Sequence, residues 1–578
     1  MTSGHLQGRA TGSSSISNMV TLQSDRANVI ALSVVWLALA VLVNPVGDFP
    51  VQDDWTYALA VRSLIDDGVY RIPGFVSANL GPLVHWGALF CWPSGFSFTA
   101  LRVSTLVLGL VGVVGVYWLF REVWGDRRVA MVAAATLLVN PMYFSLAYTF
   151  MTDVPFVALI SVAMALIVRG MRREDNAVLA AGLALGLVAV LVRQVALMIF
   201  IGFACAWVTR RGIRPFEIIK ALTPLAVGVA AHAAFNQWLI RTGRKALSSG
   251  VSDIADASID ELAYSSAHEL FAVINELGFF LLPIAILCVA LSSRGRGAVK
   301  RMWPALFAIA AGAAMAIFMV AERRTMPLTG DTLHYFGIGP LMLRDTLLIG
   351  WNLPPLTASL KNFWTVMTAF ALIGATLIMY TFARGSAELF DRARSVRESV
   401  VRAWPAVFIA VTGLSYLTIL LLLATRHDLF DRYLLPLCIV VSLALPLLGM
   451  RSVTGVLRRA ACIFVCTWLL ASMCFSVIST HDFLAWNRTR WMALSDLMEK
   501  QGISPRRIDG GYEFNGWFLY DSFYEPHDEK SWWWVDDDEY MISAGPMPAY
   551  RIERRLTVDR WWPGTAPDVF VLRRNEGP

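Results

Sequence analysis

The sequence predicts a polytopic α-helical membrane protein of about thirteen transmembrane helices, followed by a small C-terminal extracytoplasmic α/β domain. Three observations carry that expectation. Apolar runs recur from residue 28 to residue 478. Hydrophobic residues make up 56% of the chain and charged residues only 16%, where a soluble protein carries about a quarter charged. Arginine collects in every second loop between the runs, which is how membrane proteins mark one side of the bilayer.

Taken in order, residues Met1 to Asp25 form a Ser/Thr/Gly-rich head. A disordered cytoplasmic N-terminus is therefore expected over 1–27. The first span, Val29 to Val46, ends in Asn-Pro-Val-Gly. It lacks a small-x-small cleavage site and reads as a retained anchor. Allowing about 20 residues per span, further runs begin near residues 101, 129, 153, 177, 195, 216, 271, 303, 363, 404, 433 and 460.

The loops then set an orientation. Arg121, Arg127 and Arg128 follow the second run; Arg169, Arg172 and Arg173 follow the fourth. Arg210, Arg211 and Arg214 follow the sixth, and Arg294, Arg296, Lys300 and Arg301 the eighth. Arg384, Arg392, Arg394, Arg397 and Arg402 follow the tenth, and Arg451, Arg458 and Arg459 the twelfth. Basic exits after even-numbered runs place the N-terminus in the cytoplasm and the odd exits outside. An odd number of spans puts the tail outside as well. The expected domains are a membrane domain over 28–479, with a long outer loop over 47–100, and a periplasmic or extracellular domain over 480–578. The expected address is a bacterial inner membrane. Because the net charge of +6 is explained by the topology loops, no nucleic-acid partner is called for. Six of the seven cysteines lie in apolar runs, Cys91 stands alone, and no CxxC occurs. Zinc, redox and disulfide frameworks have no support.

Short segments matter more than the spans for function. Tyr57, Ala58, Val61, Leu64 and Ile65 recur at helical spacing between Asp53-Asp54 and Asp66-Asp67-Gly68, so an amphipathic helix is expected to lie along the membrane surface. A second surface segment is expected over Leu83 to Phe90. In the tail, Phe483 to Lys500 reads as a helix ended at Gly502. Strands are expected at Arg507–Gly511, Glu539–Ser543, Ile552–Val558 and Val569–Arg573. Trp532-Trp533-Trp534 and Trp561-Trp562 read either as interfacial or core aromatics or as sugar-stacking platforms. Tyr512-Glu513-Phe514-Asn515 reads as an acceptor contact or as a turn between strands.

The outer loops collect the unusual charges: Asp53-Asp54 in the first, Thr152-Asp153-Val154-Pro155 in the second, and Arg193-Gln194 in the third. The sixth carries Thr425-Arg426-His427-Asp428 and Asp431-Arg432-Tyr433-Leu434-Leu435-Pro436. Asp53 or Asp54 alone is explained as well by helix capping as by chemistry. Acids and arginines gathered on one face of a membrane protein fit transfer of a sugar from a lipid-phosphate carrier. A carboxylate accepts the proton of the attacking hydroxyl, and arginines take the charge of the leaving phosphate. A flippase would instead show internal repeats and broken helices near the midplane. A non-catalytic assembly protein would leave Asp53 and Asp153 without a role.

Gln52-Asp53-Asp54-Trp55-Thr56-Tyr57-Ala58 resembles the Asp-Glu motif in the first outer loop of GT-C glycosyltransferases. It is similar in particular to bacterial relatives of protein O-mannosyltransferase and lipid A aminoarabinose transferase. Thr152-Asp153-Val154-Pro155, Arg193-Gln194, Arg432-Tyr433-Leu434-Leu435-Pro436 and Ala100-Leu101-Arg102 resemble further segments of that family. The resemblance implies a GT-C fold and a polyprenyl-phosphate-linked sugar donor, with a lipid, glycan or protein acceptor. It implies Asp53 as base, with Asp54 in place of the family's Glu and Asp153 organising the site. Arg193, Arg432 and Arg102 would bind the donor phosphate, and Tyr57, His85 and Tyr433 would line the cavity. Asp53 with Asp153 would be the pair to hold Mg²⁺ or Mn²⁺, if a divalent cation takes part. One departure stands out: Leu80-Gly81-Pro82-Leu83 occupies the place of a Lys-Pro-Pro-Leu segment, so a phosphate-binding Lys is missing. Arg71, Arg102 and His85 are the substitutes at hand. Arg323, Arg324, His334, Tyr335 and Arg344 read as phosphate or acceptor contacts or as a solvated loop.

Overall fold

The computed structural model describes the chain except residues 1–9, 77, 246–257, 292–301, 329, 394–400, 402, 426–428, 448–455, 528–529, 563–566 and 576–578. Arg294, Arg296, Lys300, Arg301, Arg394, Arg397, Arg402, Arg451, Arg426, His427 and Asp428 lie outside the described residues.

Every expected apolar run is helical. In chain order the helices are α1 (Ala10–Val43), α2 (Asp54–Asp66), α3 (Gly81–Cys91), α4 (Phe98–Trp124), α5 (Arg127–Leu138) and α6 (Pro141–Leu146). Then come α7 (Asp153–Arg173), α8 (Asn176–Val192), α9 (Leu197–Arg211), α10 (Pro215–Arg241), α11 (Ile259–Leu291) and α12 (Trp303–Ala321). The last are α13 (Ala358–Ala393), α14 (Trp404–Leu423), α15 (Leu435–Leu447), α16 (Val456–Ser495) and α17 (Tyr512–Leu519). Ten helices among the described residues are long and apolar enough to cross a membrane, three fewer than the thirteen expected spans. The runs near 129, 177 and 433 make the shorter helices α5, α8 and α15. The reason is clearest at α5. Asn140 accepts from the backbone N–H groups of Met142 and Tyr143 (3.0 and 3.1 Å), and Pro141 opens α6. Capping and proline together divide one apolar run into two helices.

The N-terminal head also differs from expectation. Helix α1 begins at Ala10, well before residue 28. Buried Asp25 accepts from the Tyr117 hydroxyl at 2.6 Å and from Arg121 at 2.9 and 3.0 Å. Charge pairing anchors this turn to α4. Nearby, Glu122 meets Arg169 and Arg173, and Glu174 meets Arg210 and Arg211. The arginines that follow the second, fourth and sixth runs therefore share one end of the bundle.

The other end carries the surface helices and the tail. Helix α2 spans the expected amphipathic stretch and stops before Gly68, whose φ of +67° suits glycine. Helix α3 covers the second surface segment. Helix α16 runs unbroken from the last span into the tail, so no separate helix begins at Phe483. Beyond it lie β3 (Ile508–Asp509), β4 (Tyr540–Ser543), β5 (Tyr550–Leu556) and β6 (Val569–Arg574), close to the four expected positions. They form one sheet of order β3-β4-β6-β5, with only β3 and β4 parallel. Leu494, Ile508, Phe514, Ile542 and Val571 pack beneath it in one apolar cluster. Two further strands, β1 (Leu333–His334) and β2 (Gly337–Ile338), pair antiparallel between α12 and α13.

Helices α11 and α13 cross where Gly278 faces Gly374, and a Cβ on either would run into the partner helix's backbone. Small residues let membrane helices approach this closely. Gly278→Val should therefore destabilise the bundle by about 2 kcal/mol, read as a lower unfolding temperature of the detergent-solubilised protein.

Candidate active site

The two-residue turn before α2 sets the site. Gln52 adopts φ +56°, a left-handed conformation that is strained for a residue with a side chain. Asp53 follows as the residue before the first helical turn, yet its side chain caps nothing. Instead Asp53 Oδ2 accepts from Arg432 at 2.9 Å, and Oδ1 accepts from the Tyr512 hydroxyl at 2.8 Å. Asp53 remains about a quarter exposed, while Arg432 is almost wholly buried.

Arg432 comes from the short turn ahead of α15 and also pairs with Asp331. Adjacent Asp431 makes that possible. Buried, it accepts from the backbone N–H groups of Thr332 and Leu333 (3.1 and 2.9 Å), which pins Asp331 beside Arg432. Burial raises the Asp331 carboxyl to about 7, a rise that Arg432 only partly opposes. Tyr433 offers its ring to both cations, 5.2 Å from Arg193 and 5.5 Å from Arg432. The Tyr416 hydroxyl fixes its backbone at 2.8 Å. Arg193 sits where α8 ends in extended backbone, and it donates to Asp153 Oδ1 at 2.9 Å. Asp153 is 2% exposed, and its Oδ2 has no hydrogen-bond partner. Tyr57, on the first turn of α2, feels the charges of Asp53, Arg193, Asp153 and Arg432. Burial, and Asp53 after it, push its hydroxyl up, so it stays a neutral donor.

The structure thus brings together Asp53, Asp153, Arg193, Arg432, Tyr57 and Tyr433. Three other expected site residues are turned elsewhere. Asp54 is 1% exposed and faces inward, accepting from the backbone N–H of Val51 at 2.6 Å and of Phe150 at 3.4 Å. Neither partner is a first-turn amide of α2, so Asp54 is not a helix cap; it ties the loop before α2 to the segment before α7. Arg102 is equally buried, and donates to the carbonyls of Pro45, Gly47 and Phe49 at 2.8, 3.0 and 2.8 Å. Its fork is occupied by the loop that carries Asp53. His85 is exposed; its Nδ1 lies 2.7 Å from the Gly81 carbonyl one turn back, and its ring packs against Tyr70. Arg71 is exposed on the loop after α2.

The expected cation pair does not form a cradle. Asp53 and Asp153 aim their oxygens at separate arginines, and no three His, Cys, Asp or Glu side chains converge as ligands among the described residues. As arranged, this donor set does not fit Mg²⁺ or Mn²⁺.

Several of the weaker expectations resolve into architecture. Arg344 donates to Asp538 at 2.6 Å, His334 meets the Gly339 carbonyl at 2.8 Å, and the Tyr335 hydroxyl meets Thr325. Trp533 and Trp534 pack against Tyr512, whereas Trp532 is largely exposed. Trp561 stacks on His481 at 3.7 Å. Tyr512 to Asn515 open a helix where a turn between strands was one reading. Asp331 and the Tyr512 contact with Asp53 were not foreseen.

Burial holds the Asp54 carboxyl well above the usual carboxylate range, against the pull of Arg102 and the two amides. As pH rises past about 4, the unfolded chain loses this proton before the folded one, so stability falls with pH over that window. Asp54→Asn should remove this contribution. Its unfolding temperature should therefore gain on that of the wild type as pH rises from about 4 to 7.

Comparison with known proteins adds to the geometry. Residues 81–240 match the dolichyl-phosphate-mannose-protein mannosyltransferase family. That segment holds Arg102, Asp153 and Arg193, but neither Asp53 nor Arg432. No curated protein matches the chain. Among solved structures the chain is similar to ArnT from Cupriavidus metallidurans in the apo state, at 12% identity and a TM-score of 0.35. That alignment covers 96% of this chain and 98% of the other. The same protein bound to undecaprenyl phosphate aligns at 14% identity over 95% and 99% of the two chains, with a TM-score of 0.37. Over residues 81–240 the family match agrees with the resemblance to membrane glycosyltransferases carried by the motifs.

Proposed function

We propose that this multi-pass membrane protein is a glycosyltransferase that moves a sugar from a polyprenyl-phosphate carrier to an acceptor hydroxyl on the outer face of a bacterial inner membrane. The observation that carries this reading is the grouping of Asp53 and Asp153 with Arg193 and Arg432 at the bundle end opposite the arginines of the early even-numbered exits. By the charge rule that end faces outward.

In the proposed reaction the phosphate of the donor draws on Arg432 and Arg193, whose forks match its oxygens. Arg432 then leaves Asp53, and Oδ2 becomes free to accept the proton of the acceptor hydroxyl. The acceptor oxygen forms a bond to the anomeric carbon as the bond from that carbon to the phosphate oxygen breaks. The electron pair stays on the phosphate, which the arginines stabilise. Attack opposite to the leaving group inverts the anomeric centre. The products are a glycoside and the free polyprenyl phosphate, and Asp53 keeps the proton until solvent takes it.

In lipid nanodiscs with a panel of radiolabelled polyprenyl-phosphate sugars, the wild type should release or transfer label. Asp53→Asn should lower kcat by about a thousandfold while still binding donor. Arg193→Gln should lower kcat as well as raise KM for the donor. Wild-type turnover in Asp53→Asn would sink the assignment of the base.

A further inference from the structure

We propose that Tyr512, carried by the C-terminal domain, is a positioning residue that fixes the Asp53 carboxylate for proton transfer, so that the membrane domain holds an incomplete site without its tail. This inference rests on the reading of Asp53 as the base.

Both oxygens of Asp53 have a donor, but the two donors differ in kind. Arg432 is shared with Asp331 and, in the proposed reaction, with the donor phosphate. Among the described residues Tyr512 has no such competitor. Its hydroxyl donates to Oδ1 at 2.8 Å, and its ring is wedged among Trp55, Phe75, Trp533 and Trp534 with centroids 5.5 to 6.4 Å away. A ring locked on several sides holds its hydroxyl in place. When Arg432 moves to phosphate, Tyr512 still grips Oδ1 and keeps Oδ2 turned toward the acceptor. Burial, together with the Asp53 charge, raises the Tyr512 hydroxyl well above its usual range, so it remains a donor throughout.

The grip extends to the backbone. Glu513 Oε1 accepts from the N–H of Gln52 at 3.2 Å, the residue held at φ +56°. Glu513 Oε2 accepts from Arg490 at 2.8 Å, and Arg490 in turn donates to the Gly510 carbonyl at 2.9 Å. Helix α17 can come this close because Gly516 lies against the Trp55 ring, where a Cβ would collide with it. Two consecutive tail residues thus restrain two consecutive residues of the first outer loop, one by its backbone and one by its carboxylate. Strained turns persist where surrounding contacts over-determine them, and here those contacts come from the tail.

The test compares wild type, Tyr512→Phe and Asp53→Asn in the transfer assay, with unfolding temperature and undecaprenyl phosphate binding measured on each. Tyr512→Phe keeps the ring and removes only the hydroxyl. The expected result is a fall in kcat of about tenfold, with donor KM, carrier binding and unfolding temperature unchanged. A Tyr512→Phe enzyme with wild-type kcat, beside an inactive Asp53→Asn, would overturn this inference and leave the base assignment standing. Equal losses in kcat, binding and unfolding temperature would reduce Tyr512 to a packing residue and also overturn it. Full activity in Asp53→Asn would remove the base reading, and this inference with it.

Discussion

The ion pair between Asp53 and Arg432 is the contact on which the rest of the site depends. It joins residues 379 positions apart and, with Asp331, keeps a nearly buried guanidinium from standing unpaired, which would be strongly destabilising. Around it the surrounding segments fall into place. Asp431 draws in the strand-bearing loop so that Asp331 completes the pairing of Arg432, while Arg102 and Asp54 tie down the loop that delivers Asp53. Tyr433 spans the two cations, and Arg193 holds one oxygen of Asp153. Three carboxylates thus face two guanidiniums, an arrangement that holds the cations in readiness for an anion. In the proposed reaction the incoming phosphate replaces a carboxylate as partner, and the displaced carboxylate becomes the base. Binding and activation are then one exchange of partners.

Much of the fold was legible because its signals are local. Apolar runs gave every long helix, and the 3.6-residue stripe between Asp53 and Gly68 gave α2 with both its ends. All four tail strands fell near their expected places, β4 and β6 because β-branched and aromatic residues cluster there. Lengths were less legible. Asn140-Pro141 divides a run that hydropathy alone reads as one span, and Arg193 ends α8 at 17 residues. The Ser/Thr/Gly-rich composition around Ala10 carries no local signal for the helical start seen there.

The site was legible by residue type and loop position, less so by direction. Asp53, Asp153, Arg193 and Arg432 share an outer-loop location that a topology argument can find. Asp54 and Arg102 carry the same charges, yet their places near the starts of α2 and α4 turn them inward to satisfy backbone groups. A one-residue difference along a turn decides which acid faces the cavity. Tyr512 lies 459 residues from Asp53, and no spacing rule reaches that far. Only packing of the tail onto the first outer loop shows it.

The most direct test of the central claim is the affinity of the purified protein for undecaprenyl phosphate alone, measured for wild type, Asp53→Asn and Arg432→Gln. If Arg432 is shared between Asp53 and phosphate, removing the Asp53 charge should tighten binding several-fold, and Arg432→Gln should weaken it. Weaker or unchanged binding in Asp53→Asn, or unchanged binding in Arg432→Gln, would contradict the exchange of partners.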